Sequence, residues 1–172
     1  DVFETVESAT SRLDKLLIQL RNKQAAQSTK NNVDVKNLID KVVKQRNIQL
    51  PKVISNIDVD TLISINEEVL STVLNHLLQN SQEATADDGW VKITAEFSEN
   101  KLYINIIDNG CGMSATFIAE RLFKPFDTTK GNAGMGIGVY EAKQFIEGVN
   151  GSIKVFSKEN KGSQFKIVIP CE

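Results

Sequence analysis

Apolar residues recur at alternating spacings of four and three along the first part of the chain, which predicts a helix with one apolar face. They are Val2, Val6, Ala9, Leu13, Leu16 and Leu20. Because this stripe continues over about three heptads, we expect the helix to pair with a partner helix, with packing on its own domain as the alternative. Polar residues fill positions 22–32 and predict the helix end and a linker.

From residue 33 onward the chain alternates between helical and strand-like patterns. A helical period covers residues 38–46, and a period of two predicts short strands at 33–35, 53–57 and 62–65, the last two suited to pair with each other. Asn66 fits an N-cap, with Glu67 and Glu68 in the first turn, where the helix dipole favours anions. We predict that this helix runs to about residue 86.

The later part of the chain predicts a hairpin and a final helix with two strands. The period is two over residues 90–97 and 102–108, and Glu99 and Asn100 mark the turn between them. A helix is predicted at about 139–147, followed by strands near 153–157 and 165–169. Helices and antiparallel strands in this order predict an α+β fold, a two-layer sandwich of a mixed sheet with helices on one face.

Composition excludes several classes of protein. The 172 residues suffice for one domain and a short appendage, and the net charge of -2 argues against a nucleic-acid-binding surface. No apolar run approaches the roughly 18 residues of a membrane span, so we expect no membrane segment here. Cys111 and Cys171 lack the spacing of a zinc or thioredoxin-like site and favour a reduced cytosolic setting. The one histidine, His76, excludes a site that needs two imidazoles.

Six of the 10 glycines lie within one stretch of 29 residues, which indicates a backbone that approaches a ligand such as phosphate. They are Gly110, Gly112, Gly131, Gly134, Gly136 and Gly138. Two familiar phosphate-binding templates fail. A Walker A loop would need lysine where Ile137 stands, and a dinucleotide fingerprint would need glycine or alanine where Val139 stands.

Polar residues at two places form a candidate site. His76, Asn80 and Glu83 share one edge of the helix that begins after Asn66. The Asn80 amide oxygen suits a Mg²⁺ ion already surrounded by phosphate oxygens, although Asn80 satisfying a backbone group is an equal alternative. Asp108 ends a strand and can accept a hydrogen bond from an exocyclic amine.

A segment with the features of a lid follows Asp108 in the sequence. Phe123 and Phe126 with the rigid Pro125 would anchor one end of it. Lys130 and the glycines after it would form a mobile end beside a helix N-terminus, which suits anions.

Five segments follow one another in an order known from one protein family. They are HLLQNSQEA around Asn80, DNGCGM, LFKPFDTTK, GMGIG and GSQFKIVIP. They resemble the N, G1, F, G2 and G3 boxes of the sensor histidine kinase catalytic domain, the Bergerat ATP-binding fold of the GHKL superfamily. Through FDTTKGNAGMGIGVYEAK the chain is most similar to the PrsK-like sensor kinases of PEP-CTERM and exopolysaccharide systems.

The resemblance implies a mixed, largely antiparallel sheet of about five strands packed on three helices, preceded by an N-terminal helix. Residues 1–30 would be the end of a dimerisation and phosphotransfer helix with its linker, and residues 31–172 the ATP-binding domain.

The resemblance also implies roles for individual residues. Asn80 would hold Mg²⁺, Asp108 would accept from the adenine amine, and Ser163 would reach adenine through water. Asn80 and Lys130 are the candidate catalytic residues. The implied nucleotide-binding set is Asn80, Asp108, Gly110, Gly112, Met113, Arg121, Lys130, Gly134, Met135, Gly136, Gly138 and Ser163. Glu83 departs from the basic residue of many relatives, and Arg121 would either approach the γ-phosphate or pair with an acid such as Glu120.

The implied activity is transfer of the ATP γ-phosphoryl group to a histidine on a dimerisation hairpin. His76 lies in the nucleotide helix, so the phosphoacceptor histidine is absent from this chain. A response regulator downstream, a homodimeric parent and a cytoplasmic position beside a membrane anchor are the expected context. One alternative is an ATPase that directs the phosphoryl group to water; in the gyrase branch, which does this, a glutamate occupies the position of His76. The other alternative is a nucleotide-binding module without transfer activity.

Overall fold

The structure is a computed structural model that describes residues 30–125 and 138–171, together with residues 2, 3, 5, 6, 9, 10, 13, 16, 17 and 20. These ten N-terminal residues are helical, as the stripe predicts. Their large apolar side chains are 54–85% exposed. Within the described residues, no helix is both long and apolar enough to cross a membrane.

The elements after residue 30 follow the predicted order. The strands are β1 (Asn31–Asp34), β2 (Val53–Asp58), β3 (Leu62–Ile65), β4 (Val91–Ser98), β5 (Lys101–Asp108), β6 (Ser152–Lys158) and β7 (Gly162–Pro170). The helices are α1 (Val35–Arg46), α2 (Glu67–Glu83), α3 (Ala115–Glu120) and α4 (Gly138–Gly148).

Five strands form one mixed sheet in the order β2-β4-β5-β7-β6. Strand β2 runs parallel to β4, and the other neighbours are antiparallel. The predicted hairpin is confirmed as β4 and β5, joined through Glu99 and Asn100 in the left-handed region at φ 49° and 55°. The α+β sandwich predicted from the sequence is therefore the observed architecture.

The predicted pairing of residues 53–57 with 62–65 is wrong. Strand β3 pairs with β1 in a separate two-stranded sheet, whereas β2 joins the edge of the large sheet beside β4. The observed pairing places buried Val33 opposite buried Ile63, and Val53 opposite Val91. A period of two identifies which face of a strand is buried, but it does not identify the partner strand.

One face of the large sheet carries the core. Its inward side chains include Ile93, Ile104, Ile106 and Ile167, all fully buried. Helix α1 packs on β2, α2 on β4 and β5, and α4 on β6 and β7. Burying each such isoleucine contributes about 1.5–3 kcal/mol, so this layer holds α2 and α4 firmly on the sheet.

Helix α2 has a defined start and an end that the loop after β5 fixes. The Asn66 side chain accepts from the Val69 amide at 2.8 Å, which confirms the predicted cap. The helix ends at Glu83, three residues before the predicted end at residue 86. The Cys111 amide bonds to the Ala84 carbonyl at 2.9 Å, which docks the glycine loop onto the helix C-terminus and satisfies one of its last carbonyls.

Candidate functional site

A polar row crosses the inner face of the sheet where the apolar core ends. In register, Val91 of β4 lies opposite Asp108 of β5, Asp108 opposite Ser163 of β7, and Ser163 opposite Ser157 of β6. The neighbouring inward positions, such as Ile106 and Phe165, are apolar and buried. The row therefore places three polar side chains side by side at the rim of the core.

Asp108 is the charged member of this row and is only 3% exposed. Its Oδ1 accepts from the Gly110 amide at 3.0 Å and from the Ser163 amide at 3.2 Å. Burial raises the pKa of Asp108, while the Gly110 amide, the Ser81 hydroxyl and the Ser163 amide oppose that rise. Both backbone hydrogen bonds go to Oδ1, so a donor on a ligand would be received at Oδ2 of a carboxylate that the Ser81 hydroxyl also approaches.

Ser81 is a candidate site residue that the sequence interpretation missed. It is 1% exposed, and its hydroxyl makes no hydrogen bond with any residue the structure describes. The same hydroxyl lies close enough to Asp108 to lower the pKa of that carboxyl. Its signal in the sequence is a polar residue directly after Asn80 that shares the buried helix face with Leu77 and Leu78.

The glycine loop after β5 is wedged between two parts of the protein. A Cβ on Gly110 would overlap the Ala84 carbonyl, and a Cβ on Gly112 would overlap the Lys158 carbonyl. Gly112 also has φ +67°, a left-handed conformation that favours glycine. Gly112 belongs to the nucleotide-binding set that the resemblance implies, and in the structure the Lys158 carbonyl occupies the place where its Cβ would stand.

Ser157 joins the glycine loop to the start of β7 and was also missed. Its hydroxyl accepts from the Met113 amide at 2.8 Å and lies 2.9 Å from both the Gly162 carbonyl and the Ser163 hydroxyl. Gly162 has φ +98°, and a Cβ there would overlap the Asp108 carbonyl oxygen. One hydroxyl thus connects Ser163 and Met113, both predicted site residues.

The polar edge of α2 faces the beginning of α4. A Cβ on Gly138 would stand 3.1 Å from the His76 Cβ, so the two helices meet there. The His76 Nδ1 lies 3.9 Å from a carboxylate oxygen of Glu141 in the first turn of α4. Asn80, half-buried, follows one turn along α2. The start of an 11-residue helix, where backbone amides favour anions, is therefore beside the Asn80 edge.

Three further predicted positions have local partners. Glu83 accepts from the Gln79 amide group at 2.7 Å along the exposed side of α2. The Arg121 guanidinium lies 5.3 Å from the centre of the Phe117 ring. Phe123, a predicted anchor of the lid-like segment, has its ring centre 4.7 Å from the Lys143 ammonium group of α4. This contact ties α4 to the segment after α3.

The predicted phosphate-binding segment lies outside the described residues. It comprises Phe126, Lys130, Gly131, Gly134, Met135 and Gly136. Their assigned roles stay predictions from the sequence. Gly138, the last glycine of the run, is described and begins α4.

Comparison with known proteins finds one family. The sequence profile described as histidine kinase-, DNA gyrase B-, and HSP90-like ATPase matches residues 65–172. Signal transduction histidine-protein kinase AtoS of Escherichia coli (strain K12) is 33% identical over 109 residues, 63% of this chain and 18% of AtoS. Sporulation kinase A of Bacillus subtilis (strain 168) is 29% identical over 98% of this chain and 28% of its own length. The chain thus spans less than a third of either relative.

Solved structures show the same fold. The catalytic domain of histidine kinase ThkA superposes with a TM-score of 0.72 at 26% identity, over 83% of this chain and 96% of that domain. Full-length ShkA in complex with AMPPNP superposes with a TM-score of 0.78 at 21% identity, over 98% of this chain and 37% of ShkA. The predicted histidine-kinase-type fold is confirmed by these superpositions.

Proposed function

Because the chain belongs to the family of histidine kinase-, DNA gyrase B- and HSP90-like ATPases, we propose that it binds MgATP at the Asp108 row and delivers the γ-phosphoryl group to a histidine of a dimerisation hairpin. Of the two sequence relatives named above, AtoS is named a histidine-protein kinase and the other is named a sporulation kinase. The chain supplies the nucleotide-binding domain in this proposal, and the hairpin supplies the nucleophile.

The buried carboxylate of Asp108 is the observation that carries the proposal. Two backbone amides hold its Oδ1, so the second oxygen has a fixed direction and can accept from the exocyclic amine of adenine. Ser163 stands beside it, in position to reach the same base through a water molecule. A buried charge is costly to keep, and its retention at the rim of an apolar core supports a binding role.

The residues at the α2 edge fit a magnesium ion that comes with phosphate. Asn80 offers a neutral amide oxygen, and Mg²⁺ takes few protein ligands when phosphate oxygens and water complete its octahedron. When bound, the ion supplies neutralisation of charge on the transferring phosphoryl group. Asn80 would hold the ion, and the amides at the start of α4 would face the phosphates. Lys130, Gly134 and Gly136 would complete the phosphate contacts.

A water-directed ATPase is the second candidate. His76 precedes Asn80 by one helical turn, and the Glu141 carboxylate lies 3.9 Å from its Nδ1. A carboxylate beside an imidazole can orient it as a general base for water. Phosphoryl transfer remains the preferred function, since the relatives named above are kinases.

The first 30 residues support the kinase proposal. The ten described residues between positions 2 and 20 are helical, and their large apolar side chains, such as Leu13, Leu16 and Leu20, are exposed. We assign them to the end of the hairpin helix and its linker, with residues 31–172 as the ATP-binding domain. In a homodimeric parent this apolar face would be covered by partner helices.

The wider setting follows from the same assignment. A response regulator would receive the phosphoryl group from the hairpin histidine, and the parent would place this domain in the cytoplasm beside a membrane anchor. The segment at residues 126–143 supports membership of the PrsK-like subgroup.

Incubation with labelled ATP tests the function. The chain is mixed with Mg²⁺, labelled ATP and a separately supplied histidine-bearing hairpin. Label on the hairpin supports the kinase, steady phosphate release without the hairpin supports the ATPase, and neither result supports a binding module. His76→Ala is the matched variant, because it abolishes water activation by the imidazole but leaves transfer to another histidine in place.

A further inference from the structure

Ser157 holds three contacts with a single hydroxyl. It accepts from the Met113 amide, and its oxygen lies 2.9 Å from the Gly162 carbonyl oxygen and 2.9 Å from the Ser163 hydroxyl oxygen. All three contacts lie within the range of ordinary hydrogen bonds. A serine hydroxyl has one proton to give, so it cannot donate to both of the latter groups.

Only one arrangement of protons makes all three contacts hydrogen bonds. A carbonyl oxygen can only accept, so Ser157 must give its proton to Gly162. The contact between the two serine oxygens then needs a proton from Ser163. In the opposite arrangement, Ser157 donates to Ser163. The Ser157 oxygen and the Gly162 carbonyl oxygen then face each other at 2.9 Å with no proton between them.

The proton of Ser163 is therefore directed at Ser157 and away from Asp108. The Ser163 oxygen keeps its lone pairs for a ligand. Asp108 stands directly opposite Ser163 in the sheet, and its ionised carboxylate also only accepts. The rim of the core thus presents two neighbouring acceptors and no side-chain donor from this pair.

We propose that Ser157 is a positioning residue that determines base specificity, because it holds the Ser163 hydroxyl as an acceptor and so favours a 6-amino purine over a 6-oxo purine. When the base contacts the Ser163 oxygen directly, in place of a bridging water, the amine of adenine has two protons for two acceptors, whereas the 6-oxo group of inosine brings a third acceptor to the same place. This inference rests on the proposed function, since it takes Asp108 and Ser163 as the base-binding pair.

Calorimetric titration of ADP and of IDP at pH 8 with Mg²⁺ tests the inference. The two ligands differ only at the edge of the base that carries position 6. Wild type is expected to prefer ADP, and Ser157→Ala is expected to lower the ADP to IDP affinity ratio about three- to tenfold, as one misdirected hydrogen bond would. Ser157→Thr keeps the hydroxyl and should restore the ratio. Ser157→Val, which suits a strand, replaces the alanine variant should that one fail to fold.

The Ser163→Ala background identifies the group responsible. The freed Ser163 proton should cause the lost preference, so Ser157→Ala should leave the ratio unchanged when Ser163 is already alanine. Two results would overturn the inference while leaving the ATP site standing. One is an equal loss of ADP and IDP affinity in the Ser157 variants. The other is a change of the ADP to IDP affinity ratio by Ser157→Ala that is as large in the Ser163→Ala background as in the wild type. A wild type that binds neither nucleotide would overturn the proposed function and this inference with it.

Discussion

The Ser163 amide donates to Asp108 Oδ1 at 3.2 Å across the β5 and β7 pair, while the Ser163 side chain is bonded to Ser157 on the far side. One residue thus fixes the carboxylate through its backbone and the rim of the pocket through its hydroxyl. The sheet register alone sets this arrangement, because Asp108, Ser163 and Ser157 lie opposite one another on adjacent strands. The candidate site is held here by strands of the sheet and not by a loop alone.

Asp108→Asn should stabilise the ligand-free domain at neutral pH. Burial raises the pKa of Asp108, so its contribution to stability is present at low pH and is lost as the pH rises through that pKa. At pH 7 the substitution removes a costly buried charge and should raise the Tm by roughly 2–4 °C, as about 1 kcal/mol would. Thermal unfolding followed by circular dichroism at pH 7 and pH 4 checks this.

The pH dependence makes that test specific. The gain should shrink as the pH falls through the raised pKa of Asp108, because Asp108 itself is then protonated. Asp87→Asn, at an exposed position before β4, is the matched control and should change the Tm at neither pH. A pH-independent gain in the Asp108 variant would refute the charge explanation.

Ser81→Ala should shift the pH at which nucleotide affinity falls. The Ser81 hydroxyl opposes the rise in the pKa of Asp108, so its removal should let that pKa climb further. Nucleotide binding needs the ionised carboxyl, and affinity should therefore begin to fall at a higher pH in the variant. ADP titrations over a series of pH values from neutral into the acid range give both midpoints, and identical midpoints would exclude Ser81 from the site.

Gly112→Ala should destabilise the domain by more than about 1 kcal/mol. The new Cβ would overlap the Lys158 carbonyl, in a backbone conformation at φ +67° that alanine disfavours. Gly148→Ala at the end of α4 is the control, since that Cβ would meet nothing within 4 Å. Urea unfolding at matched pH compares the two, and equal midpoints would show that the loop relaxes without cost.

Gln82→Ala should loosen the connection between α2 and the loop before β2. Gln82 is buried, accepts from Arg46 Nε at 2.9 Å and donates to the Pro51 carbonyl at 2.8 Å. Losing both bonds leaves buried groups without partners, which costs about 1–3 kcal/mol. Gln79→Ala, on the exposed side of the same helix, should change the unfolding midpoint in urea little. A Gln82 variant as stable as the Gln79 variant would contradict the assignment.

Sequence patterns predicted what depends on local chemistry. The Asn66 cap and the β4 and β5 hairpin were predicted correctly, because a cap, a turn and a period of two each depend on residues that are close in sequence. The partner strand of β3 was predicted wrongly, because its pairing with β1 depends on contacts between segments that local patterns do not specify.

The candidate site divides in the same way. Asp108 and Ser163 were identified from their motifs, and the structure brings them into direct contact. Ser157 was missed because a single serine on a strand carries no pattern of its own, and Ser81 was missed although it shares the buried helix face with Leu77 and Leu78. Their importance arises from burial and from cross-strand register, which appear only once the chain is folded.

Titration of MgATP into wild type and Asp108→Asn by calorimetry tests the central claim, that Asp108 receives the amine of adenine. Since two backbone amides hold Oδ1, the substituted side chain must turn its NH₂ group toward the base, where donor would face donor. The account predicts a loss of affinity of roughly 30-fold or more, about 2 kcal/mol, with Asp87→Asn binding like wild type. Wild-type affinity in a folded Asp108→Asn variant would contradict it.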